Sequence, residues 1–303
     1  MNVPDSYLNG QWVDRTELAL GVDDLGVLQG VAVSERLRTF AGRVFRQDDH
    51  LRRLRRSLEI VRISDDGVCR QVEALLPEVV QRSGVALSPG DDLTIVLFVT
   101  PGSPASGAQL AGSQPTVCIY ARPLPFSDWV EKYAQGERLI TSSVRQVPPE
   151  CWPVALKCRS RMHYYLADLE AADRDPAARA LLVDHEGFVS EASTANILMV
   201  QDGTLVSPRL EKILPGVSLQ AVRELADELG IPFEFRDVAP GELREAHEVL
   251  LASTSPCLLP VTGCDGQPIG GGEPGAVFDQ LIRAWGAQTG VDIIQQACQF
   301  AKR

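Results

Sequence analysis

No apolar run in this chain approaches the roughly 18 residues that a bilayer-spanning helix needs. Its opening, MNVPDSYLNGQWVD, also lacks the basic stretch followed by an apolar one that marks a secretory leader. The expectation is a soluble, cytoplasmic protein with no membrane partner. Only seven cysteines occur in 303 residues, odd in number and without a C-x-x-C pair, so neither a disulfide framework nor a zinc site is indicated. Buried, reduced thiols are expected; Cys158, next to Lys157, is the one whose neighbour favours thiolate. Basic charge is also short, with 29 Lys+Arg against 40 Asp+Glu and a net charge of −11. Such a chain repels nucleic acid at long range, which excludes a general phosphate-backbone binder.

What is present is a globular composition, 45% hydrophobic and 23% charged, long enough for two medium domains. Asn9-Gly10 between apolar flanks predicts a hairpin, and Ala41-Gly42 repeats the pattern. In QDDHLRRLRRSLEIVRI the period changes: Leu51, Leu54, Leu58 and Val61 fall on one helical face, with Asp48 and Asp49 as candidate N-caps. A second helix is expected near 68–83, and DDLTIVLFVT and TVCIYA read as strands. Two prolines and a serine in ARPLPFSD then mark a linker, placed at 121–130 between a smaller domain, 1–120, and a larger one, 131–303. Beyond it, strand ERLITSS, helix SRMHYYLADLEAADRD, strands RALLVD and FVSEASTANILMV, helix GVSLQAVRELADELG and strand HEVLLAS alternate. This predicts two domains of the α/β (α+β) class, with a ligand at their junction.

Glu191 raises the chemical question, because a carboxylate entering an apolar strand must meet a cation or hydrogen-bond donors. Lys157 stands after an apolar run and before a helix. Most lysines so placed are surface lysines, but one half-withdrawn from water can form a Schiff base with an aldehyde such as pyridoxal phosphate. That cofactor also demands a carboxylate at its ring nitrogen and an anion site for its phosphate. Glu191 suits the first. For the second, Gly216 opening GVSLQAV leaves the amides of Val217 and Ser218 free, Ser253 and Thr254 add hydroxyls at a strand end, and Arg53 adds fixed charge. Singly each is weak, since a Gly-Ser helix start is usually a plain helix end and Arg53 sits among Arg52, Arg55 and Arg56.

In order and spacing, the set resembles the fold-type IV pyridoxal phosphate enzymes of the class IV aminotransferase family. The phosphate-arginine motif H-x-x-R-L looks like His50-Leu51-Arg52-Arg53-Leu54, and the lysine motif like LKCRSRMHYYLA around Lys157. The strand E-G/A-S-x-x-N resembles Glu191 to Asn196, the helix start L-x-G-I-T resembles Leu214 to Ser218, and the S-G/S-T turn resembles Ser253-Thr254. The resemblance spans nearly the whole chain. It implies pyridoxal 5'-phosphate held at the domain junction by Arg53, Lys157, Arg161, Glu191, Leu214, Val217, Ser218, Ser253 and Thr254, with Lys157 catalytic. It also implies Ser34 and Ser255 in the substrate pocket, an amino acid and a 2-oxo acid as substrates, no metal, and a homodimer.

The departures concern the substrate side. Ser34 stands where the family has an aromatic, and Val99-Thr100-Pro101-Gly102 replaces V-T-R-G, removing an arginine expected to grip a carboxylate. Leu198 and Leu219 replace an aromatic and a basic residue, and Arg161 stands where members have tyrosine or arginine. The expected activity is transamination of a small, branched-chain-like amino acid. The alternatives are a lyase of the aminodeoxychorismate type and, last, a non-catalytic binding protein of the same fold.

Overall fold

The computed structural model describes residues 4–85, 87–104 and 114–302. The chain forms two compact units: residues up to Leu124 together with Leu156–Ser160, and Pro125–Ala155 together with residues from Arg161 onward. The short return of Leu156–Ser160 to the first unit carries Lys157 with it.

The first unit contains β1 (Ser6–Leu8), β2 (Gln11–Val13), α1 (Leu25–Leu28), β3 (Val33–Phe40), β4 (Arg43–Val44), α2 (Gln47–Ile60), α3 (Val68–Gly84), β5 (Leu93–Thr100) and β6 (Thr116–Pro123). Its sheet runs β2-β1-β6-β5-β3-β4, antiparallel throughout. Both expected hairpins form, because Asn9 and Gly10 (φ 47° and 91°) and Ala41 and Gly42 (φ 49° and 75°) adopt the left-handed backbone that a tight turn of this hand requires. Helices α2 and α3 cover one face of the sheet. Leu54, Leu58, Val72 and Leu76 pack there against Leu37, Ile95, Leu97 and Ile119. Fully burying each such leucine contributes about 1.5–3 kcal/mol.

The start of α2 differs from expectation. Arg46, in left-handed conformation, is the N-cap, and Asp48 and Asp49 occupy the first turn. Carboxylates favour the positive helix end without making a capping bond, so these two mark the helix start from inside its first turn.

The second unit contains α4 (Lys132–Gln135), β7 (Glu137–Thr141), α5 (Met162–Arg174), β8 (Arg179–Val183), β9 (Val189–Ala192), β10 (Ala195–Gln201), β11 (Thr204–Ser207), α6 (Val217–Glu228), β12 (Phe233–Phe235), α7 (Pro240–Arg244), β13 (Glu248–Ser253), β14 (Cys257–Cys264), β15 (Gln267–Pro268), α8 (Ala276–Thr289) and α9 (Ile293–Phe300). Its sheet follows the path β10-β13-β14-β7-β8-β9, and β9 pairs again with β10, so these six strands close into a ring. The stretch FVSEASTANILMV, read as one strand, is two: the chain reverses at Ser193-Thr194, where Thr194 takes φ 65°. A β-branched residue seldom adopts that conformation, and no glycine or Asn-Gly pair marks the turn.

All seven cysteines are free, yet only four are buried, Cys69, Cys118, Cys257 and Cys264, while Cys151 and Cys298 are exposed. Burial pushes the thiols of Cys69, Cys118 and Cys264 up to about 12. Among the described residues, no helix is long and apolar enough to cross a membrane, and no His/Cys/Asp/Glu group could hold a metal.

Candidate active site

In the first unit Lys157 is fixed by its backbone. Cys158 sits opposite Val33 at the start of β3, the Ser34 N–H donates to the Lys157 carbonyl at 2.9 Å, and the Arg159 N–H donates to the Ala32 carbonyl at 2.8 Å. From the other side, the Lys157 N–H donates to Ser57 Oγ on α2 at 3.1 Å. Two elements therefore set the lysine's position.

Beside it lies a buried charge cluster. Arg53 Nε and Nη2 donate to the two oxygens of Glu35 at 2.7 and 2.8 Å, and His50 Nδ1 meets the same carboxylate at 2.8 Å. Burial alone would push the Glu35 carboxyl up, but the charge and hydrogen bonds of Arg53, aided by His50, outweigh it and hold Glu35 well below the usual carboxylate range. Burial lowers His50 despite Glu35, and the charges of Arg53 and Lys157 lower it further. Arg53 is thus distinct from its neighbours Arg52, Arg55 and Arg56, which are exposed. Glu35 as its partner was not assigned from sequence. The available signal was a lone carboxylate inside an otherwise buried strand, matched by His50 and Arg53 three residues apart on one helix.

In the second unit Glu191 is 3% exposed. It accepts a hydrogen bond from Tyr164 Oη at 2.9 Å and another from the Leu214 N–H. Asn196 lies opposite Glu191 across the β9–β10 turn and opposite Ala252 in β13. Its side chain donates to the Leu214 carbonyl at 2.9 Å. Gly216 follows as the N-cap of α6, with no side-chain cap, and a Cβ on it would collide with Asn196 Oδ1. Only glycine permits that approach. Asn196 therefore draws the start of α6 to the end of β13, where half-buried Ser253 and Thr254 follow Ala252. The free amides of Val217 and Ser218, the hydroxyls of Ser253 and Thr254, and the carboxylate of Glu191 are brought into one neighbourhood.

Tyr164, missed from sequence, is the companion of Glu191. Burial raises its phenol well above the ordinary value, and the Glu191 charge adds to the rise, so the proton stays on Tyr164 and is donated. Arg161 is the N-cap residue of α5, but its side chain makes no capping hydrogen bond. Ser34 and Ser255 are both buried, the former in the first unit and the latter in the second. The candidate residues thus fall into two groups, Ser34, Arg53 and Lys157 in one unit and the remainder in the other.

The family description Amino-transferase class IV matches residues 32–264. The chain belongs to the class IV aminotransferase family. It is 28% identical over 281 residues to the D-alanine aminotransferase of Bacillus licheniformis, covering 91% of this chain and 94% of that protein. It is 27% identical over 287 residues to the branched-chain-amino-acid aminotransferase of Escherichia coli strain K12, covering 92% and 91%. A solved branched-chain amino acid aminotransferase from T.th., with pyridoxamine 5'-phosphate, superposes with a TM-score of 0.84 at 27% identity, covering 94% of each chain.

As a class IV aminotransferase the protein is a transaminase that uses pyridoxal 5'-phosphate, and its fold is that of the family. The residues suit this group on the chain's own geometry. A twelve-residue helix begins with uncapped amides beside two hydroxyls, as a phosphate requires, and an almost fully buried carboxylate stands next to them, as a protonated ring nitrogen requires.

Proposed function

We propose that this class IV transaminase transfers the amino group of a small, branched-chain-type amino acid to a 2-oxo acid, with Lys157 as the catalytic residue. The observation that carries the assignment of roles is the Glu191–Asn196–Leu214 arrangement beside the open start of α6. In this reading Arg53, Val217, Ser218, Ser253 and Thr254 hold the phosphate, Leu214 frames its loop, and Glu191 holds the ring nitrogen protonated. Tyr164 fixes the orientation of Glu191. Arg161 lies toward the cofactor's oxygen or the substrate. When bound, pyridoxal phosphate supplies an electron-withdrawing ring that stabilises charge at the substrate α-carbon. Lys157 would take the proton from the substrate α-carbon as a neutral amine and carry it as an ammonium, so that one side chain would serve as base and then as acid.

The branched-chain preference is supported by the names of several relatives and by small or apolar candidates such as Ser34 and Ser255 for the pocket. We further propose a homodimer. Met162, Tyr165, Leu166 and Leu169 recur along α5 at helical spacing and are exposed by 70%, 62%, 46% and 48%, while Ala167 and Ala171 on the other face are buried. A helix apolar on both faces fits a second copy against the open one. Seven free thiols fit a cytoplasmic setting.

The test is a panel of L- and D-amino acids mixed singly with the holoenzyme while the cofactor's visible absorbance is followed. L-Leucine, L-isoleucine or L-valine should convert it to the pyridoxamine form. Conversion by D-alanine alone would overturn the substrate assignment, and release of pyruvate from aminodeoxychorismate without conversion would overturn transamination.

A further inference from the structure

The loop after β7 brings a further residue to the Tyr164–Glu191 pair. Gln146 is 9% exposed, and its backbone N–H donates to the Val183 carbonyl at the end of β8 at 2.9 Å. Its side-chain Oε1 accepts from the Val147 N–H at 2.9 Å, which sets the orientation of the amide. Nε2 is thereby turned to Tyr164 Oη, to which it donates at 3.3 Å. Tyr164 is fixed independently, packed on the cluster of Ile140, Ala167, Ala171, Ala180 and Leu182 where α5 lies on β7 and β8. Val183 in turn pairs with Val189 of β9, the strand that carries Glu191.

The donors available give this chain of bonds one direction. An amide nitrogen only donates, and a hydroxyl carries a single proton. With Gln146 on a lone pair of Tyr164 Oη, the phenolic proton has no acceptor at the amide and is directed to Glu191 at 2.9 Å. Burial and the Glu191 charge keep that proton on the phenol, while the Gln146 bond and the Arg161 charge act the other way. Successive bonds of one sense polarise each other, so the amide strengthens the bond that Glu191 receives. Gln146 and Tyr164 are both neutral. They stabilise the carboxylate without cancelling its charge, whereas a cation at either place would compete for it.

We infer that Gln146 is a positioning residue for transamination, which acts through Tyr164 to fix the direction of the hydrogen bond given to Glu191 and so holds that carboxylate charged and oriented. The inference deepens the assignment of Glu191 to the cofactor's ring nitrogen and rests on it.

The experiment uses the holoenzyme. Gln146→Met keeps the length and removes the donor, and its kcat should fall about 2- to 5-fold, the scale of one long neutral hydrogen bond, with KM and cofactor content little changed. In a Tyr164→Phe background the same change should cost no further kcat, because the residue it acts through is gone. A loss that simply adds overturns the proposal, as does unaltered kcat in Gln146→Met. Gln146→Glu gives a readout that lost packing would not. Protonated, its carboxyl donates to Tyr164 as the amide does; ionised, it only accepts and draws the phenolic proton away from Glu191. Burial and the Glu191 charge raise this carboxyl above the ordinary value of about 4.3. The ratio of its kcat to that of the unaltered protein should therefore fall as pH rises, and the visible cofactor spectra of the two proteins should diverge over the same interval. A ratio and spectra that do not respond to pH overturn the proposal, and this comparison decides alone if Gln146→Met does not fold. Near-normal turnover in Glu191→Gln would instead refute the role of Glu191 on which the proposal rests.

Discussion

Tyr164 donates a hydrogen bond from its hydroxyl to Glu191 at 2.9 Å, a compensating contact for a carboxylate only 3% exposed. The pair makes separable predictions. Tyr164→Phe removes one donor from a buried carboxylate that retains the Leu214 N–H, and should cost about 1–3 kcal/mol of stability in denaturant melts. Glu191→Gln keeps the shape and loses the charge. Its kcat should drop about 10²- to 10³-fold at unchanged cofactor content, the scale of one lost electrostatic contact to the transition state. Near-normal turnover would mean that Glu191 serves only its neighbours.

Lys157→Ala should abolish both the visible absorbance of the bound cofactor and turnover. Borohydride reduction of the unaltered protein, followed by peptide mapping, should leave the pyridoxyl label on Lys157. Lys132 and Lys212 are held by carboxylates, Glu137 at 2.9 Å and Asp184 at 2.9 Å, and a label on either would refute the assignment.

Gly216→Ala puts a methyl group into Asn196, and Thr254→Ala removes a hydroxyl from the same neighbourhood. Both should raise the dissociation constant of pyridoxal phosphate by about tenfold or more, with kcat at saturating cofactor little changed, because phosphate contacts bind ground and transition states alike. Equilibrium dialysis separates the two quantities. A fall in kcat with unaltered affinity would remove the phosphate from this loop.

Arg53→Ala strands Glu35 without its bidentate partner, so it should cost about 3–5 kcal/mol of folding stability in addition to weakening the cofactor. Exposed Arg56→Ala should do neither. Urea melts of the two variants decide this, and equal effects would mean that the Arg53–Glu35 pair is dispensable.

The same cluster makes stability depend on pH. His50 is lowered in the folded state, so the unfolded chain takes up the proton first and stability declines as pH falls through about 6.5, the ordinary histidine value. Glu35 is also lowered, so its contribution is complete above the ordinary carboxylate value of about 4.3 and fades as pH falls toward the folded value. Melting curves from pH 8 to 2 should show both declines, the second only below about pH 4.3, and His50→Gln should flatten the one near 6.5. An unchanged profile in that variant would place the dependence elsewhere.

The local signals that proved reliable were those with a single physical cause. Asn9-Gly10 made a tight turn because both residues accept positive φ, Gly42 did the same for Ala41-Gly42, and the spacing of Leu51, Leu54 and Leu58 described one buried face. The hairpin at Thr194 was invisible because its conformation is imposed by pairing on both sides, of β9 with β8 and of β10 with β13, rather than by the residues of the turn. The same limit applies to the site. Lys157, Arg53 and Glu191 were legible as chemistry-bearing residues in recognisable motifs. Glu35 and Tyr164, which set the charge and orientation of two of them, were not, since partners distant in sequence meet only through register and packing.

The closed ring of six strands has a consequence during synthesis. Strand β7 is made early and one of its two ring neighbours, β14, is made late, since Glu137 pairs with Val261 in parallel. Until that segment leaves the ribosome, β7 has one edge of unpaired amides and carbonyls that no local hairpin can cover. The nascent chain therefore carries an open strand edge for most of the second unit's translation. A stall or truncation before Cys264 would leave that edge permanently available to other chains, whereas the finished ring offers it to none.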